Sequence, residues 1–126
     1  MLKHIGITVN DKNDVKNFYQ DLLGLKLKKE FKISKDLNQQ IFGFYEDVPV
    51  YLLSDEDMEI EIFVTHLPAR KNYSHLCIEV EKRKMFIEKA KTKNYKCIVI
   101  QRDKSDLVFV KDKFGNMFEI KEHGEK

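Results

Sequence analysis

One short pattern occurs twice in this sequence and constrains the fold more than any other feature. His4 and His75 each stand at the head of a segment in which aliphatic residues take alternate positions. A period of two predicts a β-strand with the histidine on the face opposite the aliphatic side chains. The last predicted strand of each half carries a glutamate between apolar residues, Glu61 in the first half and Glu119 in the second. The sequence therefore predicts two copies of one module, each with a histidine on its first strand and a glutamate on its last.

These four residues have the chemistry of a metal site. Two neutral imidazoles and two carboxylates that converge form a shell suited to a divalent first-row metal ion. A single histidine on a strand is more often a structural residue, so it is the repetition that favours metal binding. Glu59 shares a strand face with Glu61 and is an alternative ligand. We prefer Glu61, because its Ile-Glu-Ile setting parallels the Phe-Glu-Ile setting of Glu119.

The first half predicts a strand, a helix and three more strands. Asn10 or Asp11 is expected to cap a helix that runs to Leu23 and stops at Gly24. Asp36 is expected to cap a short additional helix. The predicted strands cover residues 3–9, 25–34, 48–54 and 58–65, and the last two form a hairpin.

The second half repeats this order from His75. A helix is predicted over residues 82–93, with its inward side formed by Met85, Phe86, Ile87 and Ala90. The predicted strands cover residues 74–80, 97–100, 107–111 and 117–121. The order β-α-β-β-β thus occurs twice, and the first half is longer mainly because of a helical insertion around residues 36–47.

Length and composition indicate one domain, residues 1–126, with a first module at residues 1–66 and a second at 73–122. A chain of 126 residues, 42% of them hydrophobic, can bury a sufficient core without disulfides. Its 23 basic and 21 acidic residues are interspersed, which argues against a nucleic-acid partner. No apolar run is long enough for a membrane span or secretory signal, so we expect a cytoplasmic protein.

Several other residues have a structural interpretation that we prefer. Cys77 and Cys97 lack metal-ligand spacing and are expected as reduced thiols. Cys77 lies on the same strand face as His75, but a small buried side chain is the simpler interpretation. A loop position is predicted for His66 and a terminal one for His123. Four aromatic residues could line a pocket, but core packing is preferred for most of them: Phe42, Phe44, Tyr45 and Phe63.

Taken together, these motifs resemble the vicinal oxygen chelate superfamily. That group includes glyoxalase I, methylmalonyl-CoA epimerase, extradiol dioxygenases, fosfomycin-resistance thiol transferases and bleomycin-resistance proteins. The likeness covers nearly the whole chain and is carried by His4 to Val9, Phe18-Tyr19, Leu23-Gly24-Leu25, Glu59 to Ile62, Tyr73 to Leu76 and Asp112 to Glu119.

The resemblance implies an α+β fold in which tandem βαβββ modules form a curled mixed-sheet cleft. It also implies one divalent metal ion, nickel, cobalt, manganese, magnesium or zinc, held by His4, Glu61, His75 and Glu119. Many members of the superfamily are homodimers, and in some the site is shared between chains. A homodimer is therefore the expected assembly.

The branch of the superfamily is indicated by two positions. A glutamate at position 61 is similar to the bacterial glyoxalase I arrangement, whereas methylmalonyl-CoA epimerases often have glutamine there. Glyoxalases that use glutathione have an arginine four residues after the first ligand, and this chain has Thr8. A hydroxyl cannot replace a bidentate charged contact to a carboxylate. The substrate is thus expected to be an adduct of another thiol, or an acyl-CoA.

The implied reaction is that of a lyase or isomerase of the glyoxalase I type. A base removes the proton next to a carbonyl, and the metal stabilises the resulting enediolate. Glu119 is the first candidate for the base and Glu61 the second. The alternatives are an isomerase like methylmalonyl-CoA epimerase, or a non-catalytic small-molecule (antibiotic) binding protein of the same fold.

Overall fold

The structure is a computed structural model that describes residues 1–68 and 72–124. The chain divides into two compact units, one that ends at Pro68 and one that follows it. The first unit contains β1 (Ile5–Val9), α1 (Val15–Leu22), β2 (Lys26–Ile33), α2 (Lys35–Phe42), β3 (Val48–Ser54) and β4 (Glu59–Val64). The second contains β5 (His75–Val80), α3 (Arg83–Thr92), β6 (Lys96–Ile100), β7 (Leu107–Lys111) and β8 (Met117–Glu122).

Each unit forms one four-stranded sheet, and the two sheets have the same topology. The strand orders are β1-β4-β3-β2 and β5-β8-β7-β6. In both sheets the first strand runs parallel to the last, and the other neighbours are antiparallel. The predicted α+β fold of two βαβββ modules is therefore confirmed. Among the described residues, α2 is the helix of the first unit that has no counterpart in the second.

The first helix begins with the kind of contact that the sequence predicted. The Asp11 Oδ1 accepts a hydrogen bond from the Asn13 N–H at 2.8 Å, two residues on, as the side chain of an N-cap does. Asn13 and Asp14 begin the helical stretch, which is wound as a π-helix over Val15–Leu22. The last turn is widened, with the Leu23 N–H donating to the Phe18 carbonyl five residues back at 2.9 Å. Gly24, at a φ of 78°, ends the helix as predicted.

The inserted helix α2 is capped by Ser34 rather than by Asp36. The Ser34 hydroxyl accepts a hydrogen bond from the Leu37 N–H at 3.3 Å, and Asp36 lies in the first turn. Ser34 has the extended backbone that an N-cap requires, which a residue inside the helix lacks. The expectation that Asp36 caps this helix was therefore wrong by two positions.

The core of each unit lies on one face of its sheet. Ile60 and Ile62 on β4 are fully buried and alternate with Glu61, which is only partly covered. In the second unit Phe118 and Ile120 are buried on either side of Glu119. Because neighbouring strand residues point to opposite faces, both glutamates lie on the face away from these core residues.

Helix α3 shows one error in the predicted core. Met85 is 61% exposed, whereas Ala90 is fully buried and Phe86 and Ile87 are half-buried. The helix packs on β6 and β8. At 100° per residue, Met85 lies on the side of the helix opposite to that of Ile87 and Ala90, so it cannot share their contact with the sheet.

We expect Asp112→Ala to lower the free energy of unfolding by about 2–3 kcal/mol. Asp112 is buried in the turn between β7 and β8, and its Oδ1 accepts hydrogen bonds from the Gly115 and Asn116 N–H groups, both at 2.9 Å. Asp55→Ala is a control, because exposed Asp55 also accepts two backbone N–H bonds through Oδ1, from Asp57 and Met58, but lacks the third bond that Asp112 accepts from the Asn116 side chain. Urea unfolding of both variants measures the difference. If both variants lose the same free energy of unfolding, burial of Asp112 does not increase the contribution of its hydrogen bonds to stability.

Candidate metal centre

The first unit brings His4 and Glu61 together at the end of its sheet. His4 directly precedes β1, and Glu61 lies on β4 opposite Gly6. The His4 Nε2 atom is 3.7 Å from the Glu61 Oε1 atom, and the two side chains are 44% and 21% exposed. The pair is thus accessible from solvent and rests on the sheet face opposite the core.

The second unit reproduces this arrangement with His75 and Glu119. The His75 Nε2 atom is 3.7 Å from the Glu119 Oε1 atom, with side-chain exposures of 41% and 20%. The separation and exposure match those of the first pair closely. The repetition seen in the sequence is therefore also a repetition of side-chain geometry.

One contact fixes the orientation of His75. Its Nδ1 atom lies 2.8 Å from the Tyr73 carbonyl oxygen, which can only accept a hydrogen bond. Nδ1 is therefore the donor, and Nε2 is the nitrogen directed toward Glu119. Metal-binding histidines commonly have their second nitrogen held in this way. The Phe109 ring meets the imidazole edge to face, at 5.8 Å between centroids, and limits its rotation.

Glu59, the alternative ligand in the first unit, is engaged elsewhere. Its Oε2 atom accepts a hydrogen bond from the Lys28 ammonium group at 2.9 Å. The same contact holds the pKa of the Glu59 carboxyl below its usual value. Recruiting Glu59 as a ligand would break this ion pair, whereas Glu61 already faces His4.

The donor sets of the two pairs fit a divalent cation. At 3.7 Å each nitrogen–oxygen pair is too long for a hydrogen bond, so lone pairs on both atoms remain available. Nitrogen and carboxylate donors in this mixture suit nickel, cobalt, manganese and zinc. Within each unit, the described residues show no group of three or more His, Cys, Asp or Glu side chains that could hold an ion. Each unit therefore supplies one pair, and a four-ligand centre that uses both pairs remains a prediction.

Of the other candidate residues, Cys77 lies beside the second pair, and the rest lie elsewhere. Cys77 is exposed, so the prediction of a buried side chain was wrong; its position on β5 opposite Glu119 puts it on the solvent-facing side of the sheet. Partial burial raises the pKa of the Cys97 thiol, which therefore stays protonated at neutral pH. His66 is exposed in a loop, and His123 lies 3.1 Å from Glu79.

The structure also contains a pocket in the first unit that the sequence analysis did not favour. Phe42, Phe44 and Phe63 line it, whereas Tyr45 does not. The preference for core packing was thus wrong for Phe42, Phe44 and Tyr45, which are 49%, 43% and 59% exposed. Glu46 also lines this pocket and was missed, because only the fold brings its segment next to β1 and β4.

In the described part of the chain, no helix has the length and apolar character needed to cross a membrane.

The sequence matches the model of one known protein family. Residues 1–120 match the family model of the Glyoxalase/Bleomycin resistance protein/Dioxygenase superfamily. No curated protein matches the sequence.

Three solved structures illustrate the similarity in fold. A glyoxalase family protein from Enterococcus faecalis is 21% identical, with a TM-score of 0.71 and 95% of each chain covered. The fosfomycin resistance protein FosX from Listeria monocytogenes is 14% identical, with a TM-score of 0.74, covering 97% of this chain and 92% of that one. A mutant of the same Listeria protein, complexed with Mn(II) and dihydroxypropylphosphonic acid, is 14% identical, with a TM-score of 0.72 and coverage of 96% and 88%.

Proposed function

The chain belongs to the Glyoxalase/Bleomycin resistance protein/Dioxygenase superfamily, and from this premise we propose that it is a divalent-metal-dependent lyase or isomerase of the glyoxalase I type. The observation that carries the proposal is the matched geometry of the two histidine–glutamate pairs, each with 3.7 Å between Nε2 and Oε1. A binding module without chemistry has no need for two such pairs in equivalent positions of a repeat.

We propose that His4, Glu61, His75 and Glu119 together hold one ion. Nickel, cobalt, manganese, magnesium and zinc are the candidates for this mixture of nitrogen and oxygen ligands. The presence of Mn(II) in the Listeria mutant complex supports a divalent ion in a protein of this fold. When bound, such an ion would polarise a substrate oxygen and stabilise the negative charge that develops there.

Glu119 is our candidate for the base that removes the proton next to the carbonyl. Its carboxylate is 20% exposed on the sheet face opposite the core, so a substrate can reach it. The buried neighbours Phe118 and Ile120 fix its strand position. Glu61 has a similar exposure, 21%, and is the alternative base.

His75 has a separate role in this proposal. Because its Nδ1–H donates to the Tyr73 carbonyl, the ring is held with Nε2 toward Glu119, where it can serve as a ligand. The segment that carries Tyr73 is held by one further short hydrogen bond, which the Ser74 N–H donates to the Asn72 Oδ1 at 2.7 Å. His75 therefore acts as a positioned ligand and leaves proton transfer to a carboxylate.

The proposal is tested by proton exchange. Protein treated with a chelator should be inactive, and adding back each candidate metal ion should restore turnover and the incorporation of solvent deuterium next to the substrate carbonyl. The substrates are hemithioacetals of several thiols and a 2-methyl-branched acyl-CoA. Fosfomycin belongs in the same panel, because three-dimensional neighbours include fosfomycin resistance proteins. Turnover of fosfomycin alone, or stoichiometric ligand binding without any metal-dependent turnover, would contradict the proposal.

A further inference from the structure

The pocket of the first unit lies beside the His4–Glu61 pair. On β1, Gly6 and Thr8 follow His4 at a spacing of two, and on β4, Phe63 follows Glu61 in the same way. Residues two apart on a strand share a face. The sheet register confirms that these positions adjoin, since Gly6 pairs with Glu61 and Thr8 with Phe63. A group bound in the pocket would therefore lie next to this pair of candidate ligands.

The pocket has mainly apolar walls and the size of a small ring. It offers about 170 Å³ of solvent-accessible volume, and cavities of similar volume hold a benzene molecule. Its lining consists of Gly6, Thr8, Asn38, Phe42, Phe44, Glu46, Val48, Phe63, Thr65 and Leu67. An aryl or branched alkyl group thus matches the space and the surface of the pocket.

Two aromatic rings and one glycine shape the pocket. The rings of Phe42, at the end of α2, and Phe63 meet edge to face at 5.3 Å between centroids. A Cβ atom on Gly6 would lie 3.2 Å from the Phe63 ring, so a glycine is what allows this ring to lie close to β1. Phe42 comes from the helical insertion of the first unit, and the second unit has no equivalent helix among its described residues. The insertion therefore creates a binding surface in one half of the repeat only.

The polar part of the pocket is negatively charged. The Glu46 carboxylate accepts a hydrogen bond from the Thr65 hydroxyl at 2.5 Å. Asn38, which is 3% exposed, donates from Nδ2 to the Glu46 carbonyl at 2.8 Å and fixes this segment. None of the ten lining residues is a lysine, arginine or histidine. A ligand carboxylate in this pocket would face Glu46 without a compensating cation, and such like-charge contacts oppose binding.

We propose that this pocket binds the uncharged apolar end of the substrate, an aryl or branched alkyl group, and that Glu46 excludes substrates with a carboxylate at that end. That the bound group belongs to the substrate rests on the proposed function. The pocket itself, with its preference for neutral ligands, does not depend on catalysis. It is therefore tested by binding to the full chain in the presence of a chelator, so that no ligand can bind through a metal ion.

The test compares benzyl alcohol with benzoate, two probes of similar size that differ in charge. Titration of isotopically labelled protein, followed by NMR, should show shifts at Gly6, Phe63 and Thr65 with benzyl alcohol. Benzoate should bind at least about tenfold more weakly. In Glu46→Gln, whose amide oxygen can still accept the Thr65 bond, the two affinities should come within about threefold, because the charge repulsion is gone.

Phe42→Ala and Ile41→Ala form a matched pair on the same helix. Both side chains are about half exposed or more, at 49% and 58%, and only Phe42 lines the pocket. Benzyl alcohol should bind several-fold more weakly to Phe42→Ala and equally well to Ile41→Ala. Equal binding of the two probes to the wild-type protein would overturn the proposal, and so would the absence of shifts at the pocket residues. Probe binding without any metal-dependent turnover would instead refute the proposed function and leave the pocket as a ligand site.

Discussion

Glu119→Gln is expected to lower kcat by about 10²- to 10⁴-fold, the usual contribution of a positioned general base. The amide has the shape of the carboxylate and can still donate an oxygen lone pair to a metal ion, so the fold and much of the metal content should be retained. What the amide cannot do is accept and return a proton. The measurement is steady-state turnover on the best substrate of the panel, together with the metal content of the same sample.

Glu122→Gln is the control for this variant. Glu122 lies three residues later on β8, is exposed, and accepts a hydrogen bond from the Arg83 N–H that an amide oxygen can also accept. The turnover of Glu122→Gln should equal that of the wild-type protein. Activity of Glu119→Gln within tenfold of the wild type would exclude Glu119 as the essential base and direct attention to Glu61.

The second large effect concerns the thiol from which the substrate adduct is formed. The hemithioacetal of methylglyoxal with glutathione should be a poor substrate, even with nickel or cobalt supplied. The glutathione-using glyoxalases that the sequence resembles have an arginine for the glutathione carboxylate at this position, whereas Thr8 of this chain lines a pocket that contains Glu46 and no basic side chain. Loss of a charged contact in a desolvated site costs on the order of 2–5 kcal/mol, which lowers kcat/KM by roughly thirty- to several-thousand-fold.

The informative comparison keeps the aldehyde constant and changes the thiol. Adducts of methylglyoxal with glutathione and with an uncharged thiol such as 2-mercaptoethanol should be assayed side by side, with a 2-methyl-branched acyl-CoA as a third substrate. The uncharged adduct should be used more efficiently than the glutathione adduct. If the glutathione adduct is the fastest of the three, another basic residue binds its carboxylate and the interpretation of Thr8 is wrong.

Much of the fold could be predicted from the sequence because its signals are local. Strict alternation of apolar residues identified the strands, and Gly24 identified the end of α1. One error arose where two neighbouring side chains could cap the same helix. Ser34 caps α2 in place of Asp36, because the sequence alone does not show which side chain reaches the free N–H groups.

The site was predictable only in part, for a different reason. The histidine and glutamate of each pair are far apart in sequence, and the repetition alone associated His4 with Glu61 and His75 with Glu119. The contact of His75 with a backbone carbonyl carries no sequence signal. The pocket depends on the register of Gly6 against the strand of Phe63 and on the position of the α2 insertion. These features depend on the tertiary structure, and the periodicity of apolar residues in the sequence does not reveal them.

The most direct test of the central claim is the metal content of the purified full chain and of its histidine variants. After dialysis against a divalent metal ion and then against buffer, elemental analysis should find about one ion per chain in the wild-type protein. His4→Ala and His75→Ala should each lose most of it, because loss of a residue that only orients a ligand already lowers metal affinity by about 10- to 100-fold, and both histidines are direct ligands in the proposed centre. His66→Ala, which changes an exposed loop histidine, should retain the ion. A wild-type protein that retains no ion, or a His4→Ala variant that retains as much as the wild type, would contradict a shared centre built from both pairs.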